Sequence, residues 1–218
     1  MFLGHYAVAL AAKNAAPRTS LGVLFAAAQL ADLLWPVFLL SGIERVRIAP
    51  GDTAVTPLAF EYYPWTHSLA MAVAWGVALA IGYGLLSGDR RGNLVVGALV
   101  VSHWVLDFIT HRPDLPLIPG GELTVGLGLW RSVPWTTAVE VAMLAGGVWL
   151  YTRSTRSRDG RGRHGFSALV LVLLAIHVAN LIGPPPAHAR QLAFVAMAAA
   201  VFPVWAWWVD RHREAVPR

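Results

Sequence analysis

Apolar residues in this chain run in long unbroken stretches, not in the alternating or three-and-four-spaced patterns of a soluble domain. Six stretches of about twenty residues cover 20 to 41, 66 to 87, 92 to 110, 133 to 152, 166 to 184 and 190 to 210. Each is long enough for a helix to cross a hydrocarbon layer about 30 Å thick. A seventh, shorter stretch opens the chain as "MFLGHYAVALAAKNAA". Its positive residue, Lys13, follows the apolar run instead of preceding it, the reverse of a secretory signal, so a retained first helix is expected. The pattern predicts an all-α, polytopic integral membrane bundle of about seven transmembrane helices. Residues 1–218 would form one transmembrane domain.

Composition agrees with that pattern. With 56% hydrophobic and 13% charged residues among 218, and a mean hydropathy of +0.55, the chain has too little polar surface for a soluble domain of its size. The absence of cysteine excludes disulfides, thiolate metal sites and a thiol nucleophile.

A formal charge of +5 suggests a nucleic-acid partner only until the basic residues are placed. Of the 17 Lys and Arg residues, twelve fall in alternate segments: Lys13 and Arg18, Arg90 and Arg91, the run "TRSTRSRDGRGRH", and Arg211, Arg213 and Arg218. The positive-inside rule makes those segments cytoplasmic, with the N-terminus outside, the C-terminus inside and a basic cytoplasmic loop at 153–164. The basic excess is therefore a topology signal, and no nucleic-acid partner is expected. Trp65, Trp130 and Trp135 fall near the outer helix ends, and Trp149, Trp205, Trp207 and Trp208 near the inner ends, as membrane anchors do.

Ionisable residues inside the spans then stand out, because each costs at least about 2.5 kcal/mol to insert. In "SHWVLDFITH", His103, Asp107 and His111 recur every four residues and stack on one side of a helix. Asp32, His67, Glu140 and His177 lie within or at the start of other spans, and His5 lies near the start of the first. In the predicted topology all of them fall toward the outer side. Each has a plainer reading alone: Asp32 as interhelical glue, His67 as an interfacial residue, His177 as a packing histidine, Glu140 as an acid reaching the headgroups. Together, imidazoles and carboxylates without thiolates make a site of nitrogen and oxygen donors, suited to Zn, Mn or Fe.

The segments "LGHYAVALAA", "QLADLLWP", "PWTHSL" and "VVGALVVSHWVLDFITH" together resemble the YdjM-like family of inner-membrane metal-dependent hydrolases. The resemblance covers roughly residues 4 to 145. It implies His5, Asp32, His67, His103 and Asp107 as metal-site residues, and Glu140 as the family's later acid. Where the family pattern has a second Asp and a His after its first Asp, this chain has Leu34 and Trp35; where it has His-Arg before Thr-His-Ser, this chain has Tyr62 and Tyr63. One divalent ion, Zn or Mn, is therefore expected.

The expected function is a membrane-bound metal-dependent hydrolase at the outer face of the bacterial cytoplasmic membrane. Membrane lipids would be its surroundings and a lipid or lipid-linked ester or phosphoester its substrate. The ion would activate water, with Glu140 or an unliganded carboxylate accepting the proton. Two alternatives are a small-solute or proton-coupled permease using intramembrane Asp, Glu and His, and a non-catalytic structural or regulatory membrane protein.

Overall fold

Helix starts and stops follow local chemistry. In the computed structural model, which describes residues 1–216, helix α1 spans Leu3–Ala15. Helix α2 (Leu21–Ala28) starts where the Ser20 side chain accepts from the Val23 amide. It gives way at Gln29 to α3 (Leu30–Leu40), bent from it by 54°. A hairpin follows, β1 (Arg45–Ile48) antiparallel to β2 (Leu58–Tyr62), then the single turn α4 (Pro64–His67). Ser68 caps α5 (Leu69–Ser87), and Gly88, with φ of 65°, ends it in a left-handed turn that favours glycine. Helix α6 (Arg90–Thr110) leads into a second small hairpin, β3 (Leu115–Pro116) with β4 (Thr124–Val125). Helices α7 (Val133–Ser154) and α8 (Gly160–Ile182) flank the short strand β5 (Thr155–Ser157). The last span is α9 (Ala189–Met197) continued through one 3-10 turn into α10 (Val201–Arg211), after which β6 (Arg213–Ala215) pairs with β5.

All seven apolar stretches are thus helical, and the chain is a multi-pass membrane protein. Five helices are long and apolar enough to cross a membrane, or six if the bent pair α2–α3 is one span. Helix α1, at 13 residues, extends only about 20 Å and is largely enclosed, packed by α2, α6 and α7. Gly147 permits that closeness, since a Cβ there would run into the backbone of Ala7. Helices α5 and α6 approach through Gly76 and Gly97 in the same way, with a Cβ on Gly76 falling 2.9 Å from the Gly97 carbonyl. The main core gathers around α1 and includes Tyr6, Leu10, Phe25, Leu99, Leu144 and Leu173. Leu85, Leu86 and Trp135 project outward from the bundle, as side chains facing lipid do.

The expected loop at 153–164 is only partly a loop. Arg153 and Ser154 end α7, residues 155 to 157 are the strand β5, and residues 160 to 164 are the first turns of α8, capped by Asp159. Two of the basic residues counted as surface charges are buried. Lys13 bonds Asp210 Oδ2 at 2.7 Å and the Thr19 carbonyl at 2.9 Å, and Tyr151 donates to Asp210 Oδ1 at 3.2 Å. Arg213 lies between the Tyr151 and Phe166 rings and donates to Thr155 and Ser157. Arg218, another of the counted charges, lies outside the described residues. The end of the bundle away from the histidines is therefore latched by buried pairs.

Candidate metal centre

The bend between α2 and α3 begins the site. Interrupting the helix at Gln29 turns the Ala28 carbonyl toward α6, where it accepts from His103 Nδ1 at 2.7 Å. Asp32 then falls in the first turn of α3, where a negative charge suits the helix terminus. Helix α1 brings His5, the single turn α4 brings His67, and α6 brings His103 and Asp107 from one face, four residues apart. Segments separated by up to a hundred residues meet at one point.

Four of these five side chains are buried: His5, His67, His103 and Asp107 are each at most 5% exposed. His5 Nε2 lies 3.2 Å from Asp107 Oδ1, and His103 Nε2 lies 3.2 Å from Asp107 Oδ2. His67 Nε2 lies 3.4 Å from Asp32 Oδ1 and 3.9 Å from Asp107 Oδ2, and His103 Nε2 lies 3.9 Å from Asp32 Oδ1. His5, His103 and Asp107 form one triad, and Asp32, His67 and His103 a second, with donor atoms all within 4.8 Å. Donors bound at about 2.0–2.2 Å to one ion lie within roughly 4.4 Å of each other, so both triads have nearly the spread of a coordination shell. They share His103 Nε2, which has a single lone pair and can serve only one ion.

His103 Nδ1–H donates to the Ala28 carbonyl, which fixes the ring with Nε2 toward the Asp32 and Asp107 carboxylates. That Nε2 is at ion-pair distance from Asp107 yet makes no hydrogen bond among the described residues. The His5 ring stacks on that of His103 with centroids 3.8 Å apart and planes within 4°, an arrangement that disfavours positive charge on both rings. The Met1 nitrogen lies 2.5 Å from Asp107 Oδ1. Each triad sets two imidazoles and one carboxylate within 4.8 Å, a donor set that fits a divalent ion such as Zn or Mn.

Glu140, expected as the proton acceptor, is placed differently. Its Oε2 accepts from the amides of Phe2, Leu3 and Gly4 at the start of α1, with Phe2 at 2.9 Å and Gly4 at 3.4 Å. Free amides and the positive end of the helix dipole hold the carboxylate there, so Glu140 is a cap that positions α1 and hence His5. It belongs to neither triad.

His111 also leaves the stack predicted for it. Helix α6 ends at Thr110, and His111 turns to Asp114, 3.0 Å away, and to the Tyr63 hydroxyl, packing against Trp130 and Phe60. Burial pushes its imidazole down, even though Asp114 works the other way. Burial would raise the Asp114 carboxyl, but His111 and Arg112 outweigh it and hold it below the usual carboxylate range. Arg112 joins Asp114 to Asp52 and so ties the two hairpins together at this end. His177 is buried on α8 and belongs to neither triad.

Sequence reasoning missed Glu44 and Thr66. Glu44 is 1% exposed and accepts from the Thr66 amide at 2.9 Å and the Thr66 hydroxyl at 2.7 Å. Thr66 Oγ1 lies 2.7 Å from His67 Nδ1. The Thr of "PWTHS" was visible, but nothing in the sequence links it to an acid 22 residues earlier.

Access also has a location. Asp32 has 40% of its side chain exposed, against 3% for Asp107. A crevice between α3, α5 and α6, walled by Ala31, Ala72, Trp75, Val100 and Trp104, reaches His67 and His103. Comparison with protein families, with curated proteins and with solved structures finds no match.

Proposed function

We propose that this chain is a membrane-embedded, metal-dependent hydrolase with one divalent ion, Zn or Mn, held by His5, Asp32, His67, His103 and Asp107. The observation that carries the reading is the convergence of three imidazoles and two carboxylates from four segments, in two triads whose donor atoms lie within 4.8 Å of one another and which share His103. When bound, the ion supplies Lewis acidity toward an ester or phosphoester oxygen and toward water. Asp32, with 40% of its side chain exposed, would hold the ion through Oδ1, which faces His67 and His103, and its other oxygen replaces Glu140 as the group that takes the proton from water, because Glu140 is committed to the amides of α1. His103 and Asp107, fixed on one helix face, and His5, held by the Glu140 cap, keep the donors in place. A lipid or lipid-linked substrate is suggested by the setting of the site among membrane-spanning helices.

The topology attached to this reading has seven passes, the N-terminus outside and the C-terminus cytoplasmic, and rests on the distribution of Lys and Arg. It puts the site at the outer face of a bacterial cytoplasmic membrane, as the YdjM-like resemblance implies. Against a proton-coupled permease stands the far end of the bundle, where Lys13, Asp210 and Tyr151 are paired with one another.

Elemental analysis of the purified protein tests the ion: about one divalent metal per chain is expected. Metal-loaded protein incubated with membrane lipids and lipid-linked intermediates should release a head group or an alcohol detectable by mass spectrometry. Flux of protons or solute through reconstituted vesicles with no product formed would replace the hydrolase by the permease.

A further inference from the structure

We propose that Glu44, acting through Thr66, is a positioning residue that sets the tautomer and ring orientation of His67, an inference that rests on the metal site described above. A threonine hydroxyl has one proton to donate. Thr66 gives it to Glu44 Oε2, while Glu44 Oε1 takes the Thr66 amide, so each carboxylate oxygen accepts from Thr66. The remaining contact, 2.7 Å to His67 Nδ1, is then a bond in which Nδ1–H donates to Thr66 Oγ1. With the proton on Nδ1, Nε2 carries the lone pair, and Nε2 is the atom facing Asp32 and Asp107.

The other end of the relay is anchored as well. The amides of Ile43 and Glu44 both donate to the Phe38 carbonyl, which holds Glu44 against the last turn of α3, the helix that carries Asp32. Helix α4 is a single turn with no side-chain cap of its own, and the Glu44 bond to the Thr66 amide holds that turn from outside. The relay thus sets His67 and Asp32 relative to each other. His103 has its counterpart in the Ala28 carbonyl, so two of the three imidazoles present Nε2 because a buried acceptor holds Nδ1–H. A carboxylate buried to 1% exposure and bonded through both oxygens to the threonine beside a histidine is explained by that role.

The test uses the full-length chain in detergent with Co2+ as probe, and variants Thr66→Val, Thr66→Ser and Glu44→Gln. Thr66→Val and Glu44→Gln should weaken Co2+ binding by roughly 10–100-fold and alter its visible absorption, as removal of an outer-shell partner does. Thr66→Ser, which restores the hydroxyl, should bind as wild type does. Nitrogen-15 spectra of histidine-labelled, cation-free protein, with His67 assigned by His67→Gln, should show the Nδ1–H tautomer in wild type and in Thr66→Ser and its loss in Thr66→Val. Wild-type Co2+ affinity in Thr66→Val, an equal loss in Thr66→Ser, or a His67 protonated on Nε2 in wild type would each overturn the relay. If wild type binds no Co2+ while the tautomer follows the hydroxyl, the metal site fails and the relay stands.

Discussion

Glu140→Gln keeps the side chain's shape and one carbonyl oxygen but removes its charge, which separates a helix cap from a proton acceptor. Hydrogen bonds to a charged acceptor contribute about 1.5–3 kcal/mol, and neutral ones about 0.5–1.5 kcal/mol. Glu140 Oε2 takes three amides, of which the Gly4 bond is long at 3.4 Å, and sits at the positive end of α1. Losing the charge should therefore destabilise the protein by about 2 kcal/mol, counting two effective bonds and a modest dipole contribution. Glu140→Leu leaves those buried amides without an acceptor and should cost on the order of 4 kcal/mol. His5 lies just beyond the loosened amides, so Co2+ affinity should fall by up to about tenfold in Glu140→Gln, equivalent to about 1.4 kcal/mol, and further in Glu140→Leu. Thermal unfolding in detergent, amide hydrogen exchange at Phe2, Leu3 and Gly4, and Co2+ titration read these effects together. If Glu140→Gln leaves stability, exchange and affinity at wild-type values yet abolishes lipid hydrolysis, Glu140 is the proton acceptor and the cap assignment is wrong.

His103→Ala or Asp107→Ala should lose the bound metal in elemental analysis, and full occupancy in the double variant would remove the site. Asp210→Asn strands the buried Lys13 ammonium and should destabilise the protein by about 3–5 kcal/mol in thermal unfolding, while leaving Co2+ affinity unchanged. Burial holds the folded-state His111 pKa below its unfolded value of about 6.5, so the folded state binds fewer protons and stability is lost as pH falls below that value. Asp114, also depressed, adds a second loss as pH falls through about 3.9 and below; His111→Gln should remove the upper part of the difference profile and shrink the lower part to what Arg112 alone sustains. A reporter inserted at 153 to 164 or fused after residue 218 should report cytoplasm, and one near Asp52 or Asp114 the outside; the reverse pattern would invert the side on which the site lies.

Helix placement was legible in the sequence because apolar length is a property of consecutive residues: each long run between 20 and 210 became helix within a few positions, although five or six helices, not seven, are long and apolar enough to span. The candidate residues could be singled out for a related reason, since an ionisable group in an apolar run is costly wherever the run ends up. His103 and Asp107 could even be paired, because the helical period fixes neighbours four apart. Partnership across segments was not legible. Lys13 reads as a loop cation until α10 brings Asp210 beside it, and Arg213 until α7 and α8 enclose it. Glu140 has the residue type of a proton acceptor, but the packing of α7 on α1 aims it at three backbone amides. The bend at Gln29 frees one carbonyl that fixes a histidine tautomer, and the relay from Glu44 fixes another. Such bonds depend on where a chain turns and which faces meet, and those are settled by packing over distances that local pattern does not encode. The sequence by itself determined which residues are too polar for their surroundings; the tertiary structure decided which of them face one another, because only in the packed bundle does each buried donor and acceptor find its partner.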